Sequence, residues 1–165
     1  DVPFLEHAED YDVVMQDGHV VRVQVKGEAG EVSLGRAKAR ELSRFHDTRL
    51  EPEVRALFAQ IDPEVRDRTI VRDQSHRIAA RLSQLARLLG DHRADERWPL
   101  MLGDCGFPAT AAWIDALDTL LGLGVAWPES VRSYERRLHA IPAVRDELAA
   151  YRPAMTAWLD ARSAA

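Results

Sequence analysis

The spacing of apolar residues predicts helices over most of the chain, beginning near Arg36. A first helical segment extends to about Ile61. Pro52 should kink or divide it, because proline lacks the amide hydrogen that a helix interior needs. The clearest periodicity runs from Glu64 to Leu89, where the apolar residues of its second half recur at steps of four, three and four. Gly90 follows directly and is a typical helix stop, so this segment is predicted to end there.

Prolines divide the rest of the chain into further predicted helices. Pro108 to Leu121 has a wide apolar face, which is typical of a central, buried helix. Pro128 is well placed in the first turn of the next helix, since its amide would have no helical partner there. We expect the chain to restart at Pro142 and again after Pro153, which gives an array of short helices.

The N-terminal segment has a different pattern. Residues 11–25 read YDVVMQDGHVVRVQV, in which Asp17-Gly18 separates two β-branched runs, the strongest short-range signal for a tight hairpin. The glycine-rich residues 26–35 predict a loop. The fold class is therefore mainly α, with a short β-hairpin segment over residues 1–35 and a helical domain over residues 36–165.

Composition limits the partners that this chain can have. A net charge of -5 argues against a nucleic acid partner, because phosphate binding needs a basic surface. Cys105 is the only cysteine, so no internal disulfide can form, and we expect a cytoplasmic location. No apolar run is long enough to span a bilayer, so we expect no membrane partner.

Few residues suggest chemistry on their own. Cys105 lies near a predicted helix start, which would favour a reactive thiolate, but the neighbouring Asp104 disfavours that charge. We therefore interpret it as a structural thiol. Asp73 and His76 share a helix face, but such a pair is more often a surface pair than a metal site, and we expect no metal. The nucleophile motif G-x-S-x-G of serine hydrolases is absent, so we set hydrolases aside.

Three phrases, in order, resemble the C-terminal half of glutathione transferases. RAKARELSRFHDTRLEPEVRALF resembles the family's fourth helix, and RWPLMLGDCGFPATAAWIDAL resembles the turn that leads into its buried sixth helix. SYERRLHAIPAVRDELAAYRPAMTAW resembles the closing helices. The resemblance covers roughly residues 36–160 and implies a glutathione-transferase C-terminal-like helical bundle. It also implies that residues 1–35 are the remnant of a thioredoxin-like domain.

The resemblance implies a function and a set of site residues. The expected reaction conjugates, or otherwise transforms, a small electrophilic substrate with glutathione as co-substrate, and the expected assembly is a homodimer. By the same resemblance, the substrate pocket would be lined by Arg44, Phe45, Thr48, Arg49, Trp113 and Trp158. The alternative for these positions is structural, since aromatic residues at helical spacing usually pack in a core and arginines are usually solvated.

The chain departs from the family pattern in two places. Pro108 and Ala111 stand where the family has a reciprocal capping pair, unless Thr110 caps in a shifted register. Val23 and Gln24 stand where the family has the Glu-Ser pair that grips glutathione. The residue that activates the thiol is not recognisable, so we expect that the thioredoxin-like half either precedes Asp1 or has been lost. The alternative function is a non-catalytic module for ligand binding or protein assembly.

Overall fold

The computed structural model describes residues 10–14, 20–24, 29–90 and 100–164, and side chains from residue 37 onward within those ranges. The chain separates into two compact units, residues 1–37 and residues 38–165. The second unit holds nearly all of the helical structure and every side chain discussed below.

Two short strands lie in the first unit. Strand β1 (Asp10–Val14) pairs antiparallel with β2 (Val20–Gln24), and the register places Asp10 opposite Gln24 and Val14 opposite Val20. The predicted turn at Asp17-Gly18 lies outside the described residues. Val23 and Gln24, the positions expected for the family's glutathione-gripping pair, both belong to β2.

The first helical segment is longer than expected. Helix α1 spans Ala29–Phe45, so the prediction of a loop through Gly35 is wrong from Ala29 onward. A π-helical segment, His46–Leu50, continues α1 directly. It is followed by α2 (Glu51–Arg55) and by a 3-10 segment, Ala56–Gln60.

The π-helical segment explains how this run accommodates Pro52. The amide of Glu51 bonds the carbonyl of His46, five residues back instead of four. One extra residue is thereby inserted just before the proline, whose missing amide and bulky ring would otherwise disturb an ordinary α-helical turn. The predicted disturbance at Pro52 is confirmed, and it takes the form of changed helical winding.

Helix α3 (Arg68–Leu89) has well-defined ends. Its N-cap is Asp67, whose side chain accepts hydrogen bonds from the amides of Thr69 and Ile70. Gly90 ends the helix with a positive φ of 56°, which confirms the predicted stop.

The remaining helices are α4 (Phe107–Leu121), α5 (Glu129–His139) and α6 (Pro142–Ser163). The predicted restart at Pro142 is confirmed, but a second restart after Pro153 is wrong because α6 continues through that residue. Pro153 is exposed, so the carbonyl that loses its helical partner lies on the helix side that faces water.

The core of the second unit lies where α4 meets its neighbours. Helix α4 packs against α2, α5 and α6, and α3 packs against α2 and α5. The aliphatic side chains of the described residues that are completely shielded from solvent are Leu50, Leu57, Ile61, Ile78, Leu82, Ala111, Ile114, Leu117, Val131 and Leu138. The described part of the chain is mainly helical, which confirms the predicted mainly α class. Within it, none of the helices combines the length and apolar character needed to cross a bilayer.

Candidate functional site

A cavity of about 660 Å³ lies within the helical unit. Three helical stripes line it, and each stripe uses positions i, i+3, i+4 and i+7, which share one side of a helix. The stripes are Glu51, Val54, Arg55 and Phe58; Gly106, Ala109, Thr110 and Trp113; and Tyr151, Ala154, Met155 and Trp158. His46, at the start of the π-helical segment, completes the wall.

Three aromatic rings form one corner of this cavity, which we call the aromatic corner: Phe58, Trp113 and Trp158. Their centroids lie 4.7 Å apart for Phe58 and Trp113, 5.3 Å for Phe58 and Trp158, and 5.5 Å for the two tryptophans. The tryptophans meet edge to face at 85°, a favourable arrangement of their quadrupoles. Arg162 covers Trp158 from the other direction, with its Cζ atom 3.8 Å from the ring centroid. The corner is therefore held in place from several sides.

A hydrogen bond joins two of the cavity residues across helices α4 and α6. Nε1 of Trp113 donates to the hydroxyl oxygen of Tyr151 at 2.7 Å. Both side chains are half-buried, so water competes less strongly for this bond than it would on an open surface. The bond fixes the orientation of the Trp113 ring in the aromatic corner.

His46 connects the π-helical segment to α4. Its Nε2 lies 2.7 Å from Oγ1 of Thr110, and its Nδ1 lies 2.7 Å from Oδ1 of Asp47. A carboxylate can only accept, so in the neutral form of the ring the proton lies on Nδ1 and Nε2 accepts the Thr110 hydroxyl. The Thr110 hydroxyl therefore bonds His46 and does not cap the helix. The N-cap of α4 is Gly106, and no side chain caps this end. The shifted capping role considered for Thr110 is wrong.

Gly106 makes the close approach of His46 possible. A Cβ atom at Gly106 would lie 2.5 Å from Cε1 of His46, well inside van der Waals contact. The turn before it has a similar requirement, because a Cβ atom at Gly103 would lie 2.4 Å from the carbonyl oxygen of Ala39. The two glycines thus let the Leu102–Asp104 turn and the start of α4 lie directly against α1 and the π-helical segment.

The structure brings together only some of the predicted substrate-binding residues. Trp113 and Trp158 line the cavity and contact each other. Arg44, Thr48 and Arg49 are exposed and are not among the cavity residues; the Thr48 hydroxyl donates to the backbone carbonyl of Arg44. Phe45 is half-buried, packs against the hydrophobic core as Trp113 and Trp158 do, and is not among the cavity residues. A role for these four residues in substrate binding stays a prediction.

Sequence reasoning predicted only two of the thirteen residues of the cavity wall, and the residues that it missed include His46, Phe58 and Tyr151. Tyr151 had a signal in the sequence, because it begins an apolar i, i+3, i+4, i+7 set on α6. Phe58 lies in the 3-10 segment, where that spacing does not apply. His46 had no such signal, since its position on the wall depends on the π-helical winding.

Cys105 is exposed and follows the Leu102–Asp104 turn, which the buried Asp104 side chain closes. Oδ2 of Asp104 accepts the Met101 amide at 2.7 Å, and Oδ1 accepts the Tyr134 hydroxyl at 2.5 Å. Partial burial, and secondarily the charge of Asp104, raise the pKa of the Cys105 thiol. This agrees with the interpretation of Cys105 as a structural thiol, because the thiolate is the reactive form.

A second cavity, of about 530 Å³, lies between the start of α3 and the loop after α4. Arg66 and Arg72 are among its lining residues, but Arg66 donates to two backbone carbonyls and Arg72 pairs with Asp73 at 2.8 Å. The hydrogen bond from Arg72 lowers the pKa of Asp73, with a smaller contribution from the charge of His76. The side chains described include no group of three or more acidic, histidine or cysteine residues that could hold a metal ion.

Comparison of the chain with protein-family models, with curated proteins and with solved structures finds no match.

Proposed function

We propose that the chain is a glutathione-transferase-like protein whose helical domain binds a small, planar, apolar electrophile in the cavity between α2, α4 and α6. The observation that carries this proposal is the aromatic corner, where three rings lie within 5.5 Å of one another on the cavity wall. Aromatic surfaces of this kind bind flat apolar molecules, because stacking adds to the gain from burying apolar area.

The size and chemistry of the cavity support a small-molecule ligand. Its volume of about 660 Å³ falls within the range usual for such sites. Most of the wall is apolar, with Val54 and Met155 beside the aromatic corner and only a few polar groups. That combination is typical of a site in which apolar contacts give affinity and single polar groups give orientation.

Glutathione as co-substrate, a homodimeric assembly and a cytoplasmic location are parts of the same proposal. They depend on the resemblance of residues 36–160 to the transferase helical half. In that arrangement the helical domain holds the electrophile and a thioredoxin-like half holds the thiol. The proposed reaction is attack of the glutathione thiolate on an electrophilic carbon of the bound molecule.

Binding is tested with two variants of one residue type. Phe58 belongs to the aromatic corner, whereas Phe45 is a half-buried phenylalanine outside the cavity. Isothermal titration with 9-fluorenone should show an affinity about 2- to 12-fold weaker in Phe58→Leu, the loss expected for one aromatic pair. Phe45→Leu should bind like the wild type. Equal affinity in all three proteins would contradict binding at the aromatic corner.

Transfer is tested separately with 1-chloro-2,4-dinitrobenzene and glutathione. The proposal expects the absorbance of the conjugate to grow faster with protein than without it, and more slowly with Phe58→Leu than with wild type. Binding of 9-fluorenone without acceleration of this reaction would contradict the catalytic part of the proposal and would leave the ligand-binding part intact.

The second candidate is a non-catalytic module that binds an apolar ligand or assembles with a partner. The observation that favours it is the state of the polar groups on the wall, which are bonded to each other: His46 with Thr110, and Trp113 with Tyr151. The cavity therefore resembles a preformed binding site. Binding without transfer is the result that this candidate expects.

A further inference from the structure

The hydroxyl of Tyr151 accepts one hydrogen bond and can still donate one. An indole nitrogen can only donate, so the 2.7 Å contact with Nε1 of Trp113 must use the oxygen of Tyr151 as acceptor. The phenolic hydrogen is not consumed by that bond. Within the part of the chain that the structure describes, no hydrogen bond is donated by the Tyr151 hydroxyl. Because Tyr151 is half-buried, this hydrogen can be donated to water or, when a ligand displaces that water, to an acceptor atom of the ligand.

The other polar groups of the cavity are less suited to this role. Thr110 donates its hydroxyl hydrogen to His46, whose remaining nitrogen donates to Asp47. Arg55 donates to Glu51, and its side chain is 70% exposed, so water competes for its remaining hydrogens. Tyr151 differs because its hydroxyl lies on the cavity wall beside the aromatic corner and has a hydrogen to give.

We propose that Tyr151 is the specificity-determining donor of the cavity, and that it selects planar ligands that carry a hydrogen-bond acceptor oxygen such as a ring-conjugated carbonyl. This inference rests on the proposed function, since it specifies the ligand class of the same site. The bond from Trp113 strengthens the donor, because a hydroxyl that accepts a hydrogen bond becomes more polarised and donates more strongly.

The helical register supports this arrangement. Tyr151 and Trp158 lie seven residues apart on one side of α6, and Trp113 on α4 contacts both of them. A flat ligand that stacks in the aromatic corner therefore meets the Tyr151 hydroxyl through its edge, where a conjugated carbonyl presents its lone pairs. The rings supply affinity for any flat apolar molecule, and the hydroxyl distinguishes an acceptor from a hydrocarbon.

The test compares two ligands that share one skeleton. 9-Fluorenone and fluorene differ only in a carbonyl in place of a methylene group. Equilibrium dialysis gives the ratio of their affinities for wild type, for Tyr151→Phe, which keeps the ring and removes the hydroxyl, and for Trp113→Phe, which keeps a ring and leaves the hydroxyl. The ratio should move toward fluorene by about 2- to 12-fold in Tyr151→Phe, the range expected for one hydrogen bond. Trp113→Phe loses the polarising bond but keeps the Tyr151 hydroxyl, so it should keep a preference for fluorenone that is weaker than in wild type.

An infrared measurement gives a first result on the wild type alone. The carbonyl band of bound 9-fluorenone should shift to lower wavenumber than in a hydrocarbon solvent, and the shift should be lost in Tyr151→Phe. An unshifted band, or the same affinity ratio in wild type and Tyr151→Phe, would overturn the donor role and leave ligand binding intact. Failure of both ligands to bind wild type would instead overturn the proposed function together with this inference.

Discussion

The bond between Thr110 and His46 should contribute measurably to the stability of the helical unit. It joins α4 to the π-helical segment across 64 residues of sequence, at a distance of 2.7 Å. Thr110→Val removes the hydroxyl and keeps the β-branched shape, so neither packing volume nor helix propensity changes much. The variant therefore isolates the loss of this one hydrogen bond.

The expected magnitude follows from the burial of the two partners. A hydrogen bond between neutral groups contributes about 0.5–1.5 kcal/mol net, and leaving a buried partner unsatisfied costs about 1–3 kcal/mol. Thr110 is buried, but the His46 side chain is 14% exposed and lies on the cavity wall, where water can reach its Nε2. We expect the free energy of unfolding to fall by about 1–2 kcal/mol.

Urea unfolding followed by circular dichroism measures this change as a shift of the midpoint by roughly 0.5–1 M, for a slope of about 2 kcal/mol per molar urea. Thr119→Val is the matched control. Thr119 lies on the same helix, is exposed, and donates to the carbonyl of Asp115 within one turn. Surface substitutions of this kind usually change stability by less than about 0.5 kcal/mol. Equal shifts in both variants would refute the structural role assigned to the bond with His46.

Three further results are expected. Gly103→Ala should lower the free energy of unfolding by about 1–3 kcal/mol, because its Cβ would meet the backbone carbonyl of Ala39, which cannot rotate aside; an unchanged thermal midpoint would contradict this. Tyr134→Phe should cost about 1.5–3 kcal/mol in urea unfolding, because the fully buried Asp104 carboxylate loses a donor; a cost near zero would mean that the carboxylate does not depend on it. Cys105 should be alkylated slowly by iodoacetamide at neutral pH, and the rate should still rise above pH 9, since a raised pKa delays formation of the thiolate; mass spectrometry measures the rate, and a plateau below pH 9 would contradict the raised pKa.

The parts of the fold that could be predicted from sequence are those determined by local chemistry. Helix α3 repeats apolar residues along one side and ends at Gly90, which adopts a conformation that other residues rarely tolerate. Helix α4 begins within one residue of the predicted start at Pro108, because a proline in the first turn loses no hydrogen bond. In both cases a single residue type indicates the helix terminus: Gly90 the C-terminus of α3, and Pro108 the N-terminus of α4.

The effect of a proline inside a helix depended on its surroundings. Pro52 and Pro153 present the same local problem, a missing amide and a bulky ring. Pro52 follows a π-helical segment, His46–Leu50, whereas α6 continues through Pro153. Both prolines are exposed, but Pro52 lies two residues after the completely buried Leu50, whereas the residues on either side of Pro153 are exposed. Sequence identifies the proline, but tertiary packing decides how the chain responds.

The residues of the candidate site could likewise be predicted only in part. Trp113 and Trp158 were predicted as pocket residues from the resemblance, and both line the cavity. Phe45 and Phe58 are phenylalanines of the same helical run and look alike in sequence. Only Phe58 lies at the cavity; a π-helical segment separates it from Phe45, and Phe58 itself lies in a 3-10 segment, so the two do not share one helical register. A side-chain direction that depends on winding cannot be extrapolated from an ideal helical period.

The existence of a cavity, in place of a closed core, follows from small residues at fixed positions of the stripes. Each of the two stripes on α4 and α6 has an alanine, Ala109 or Ala154, three residues from the stripe's first position. Larger apolar side chains there would project into the space between the helices. Gly106 begins the α4 stripe, and the His46 ring occupies the space that a side chain at this position would fill. Small residues keep the space open while Trp113 and Trp158 give it an aromatic wall, so the stripes combine the two requirements of a binding site, room and a surface to contact.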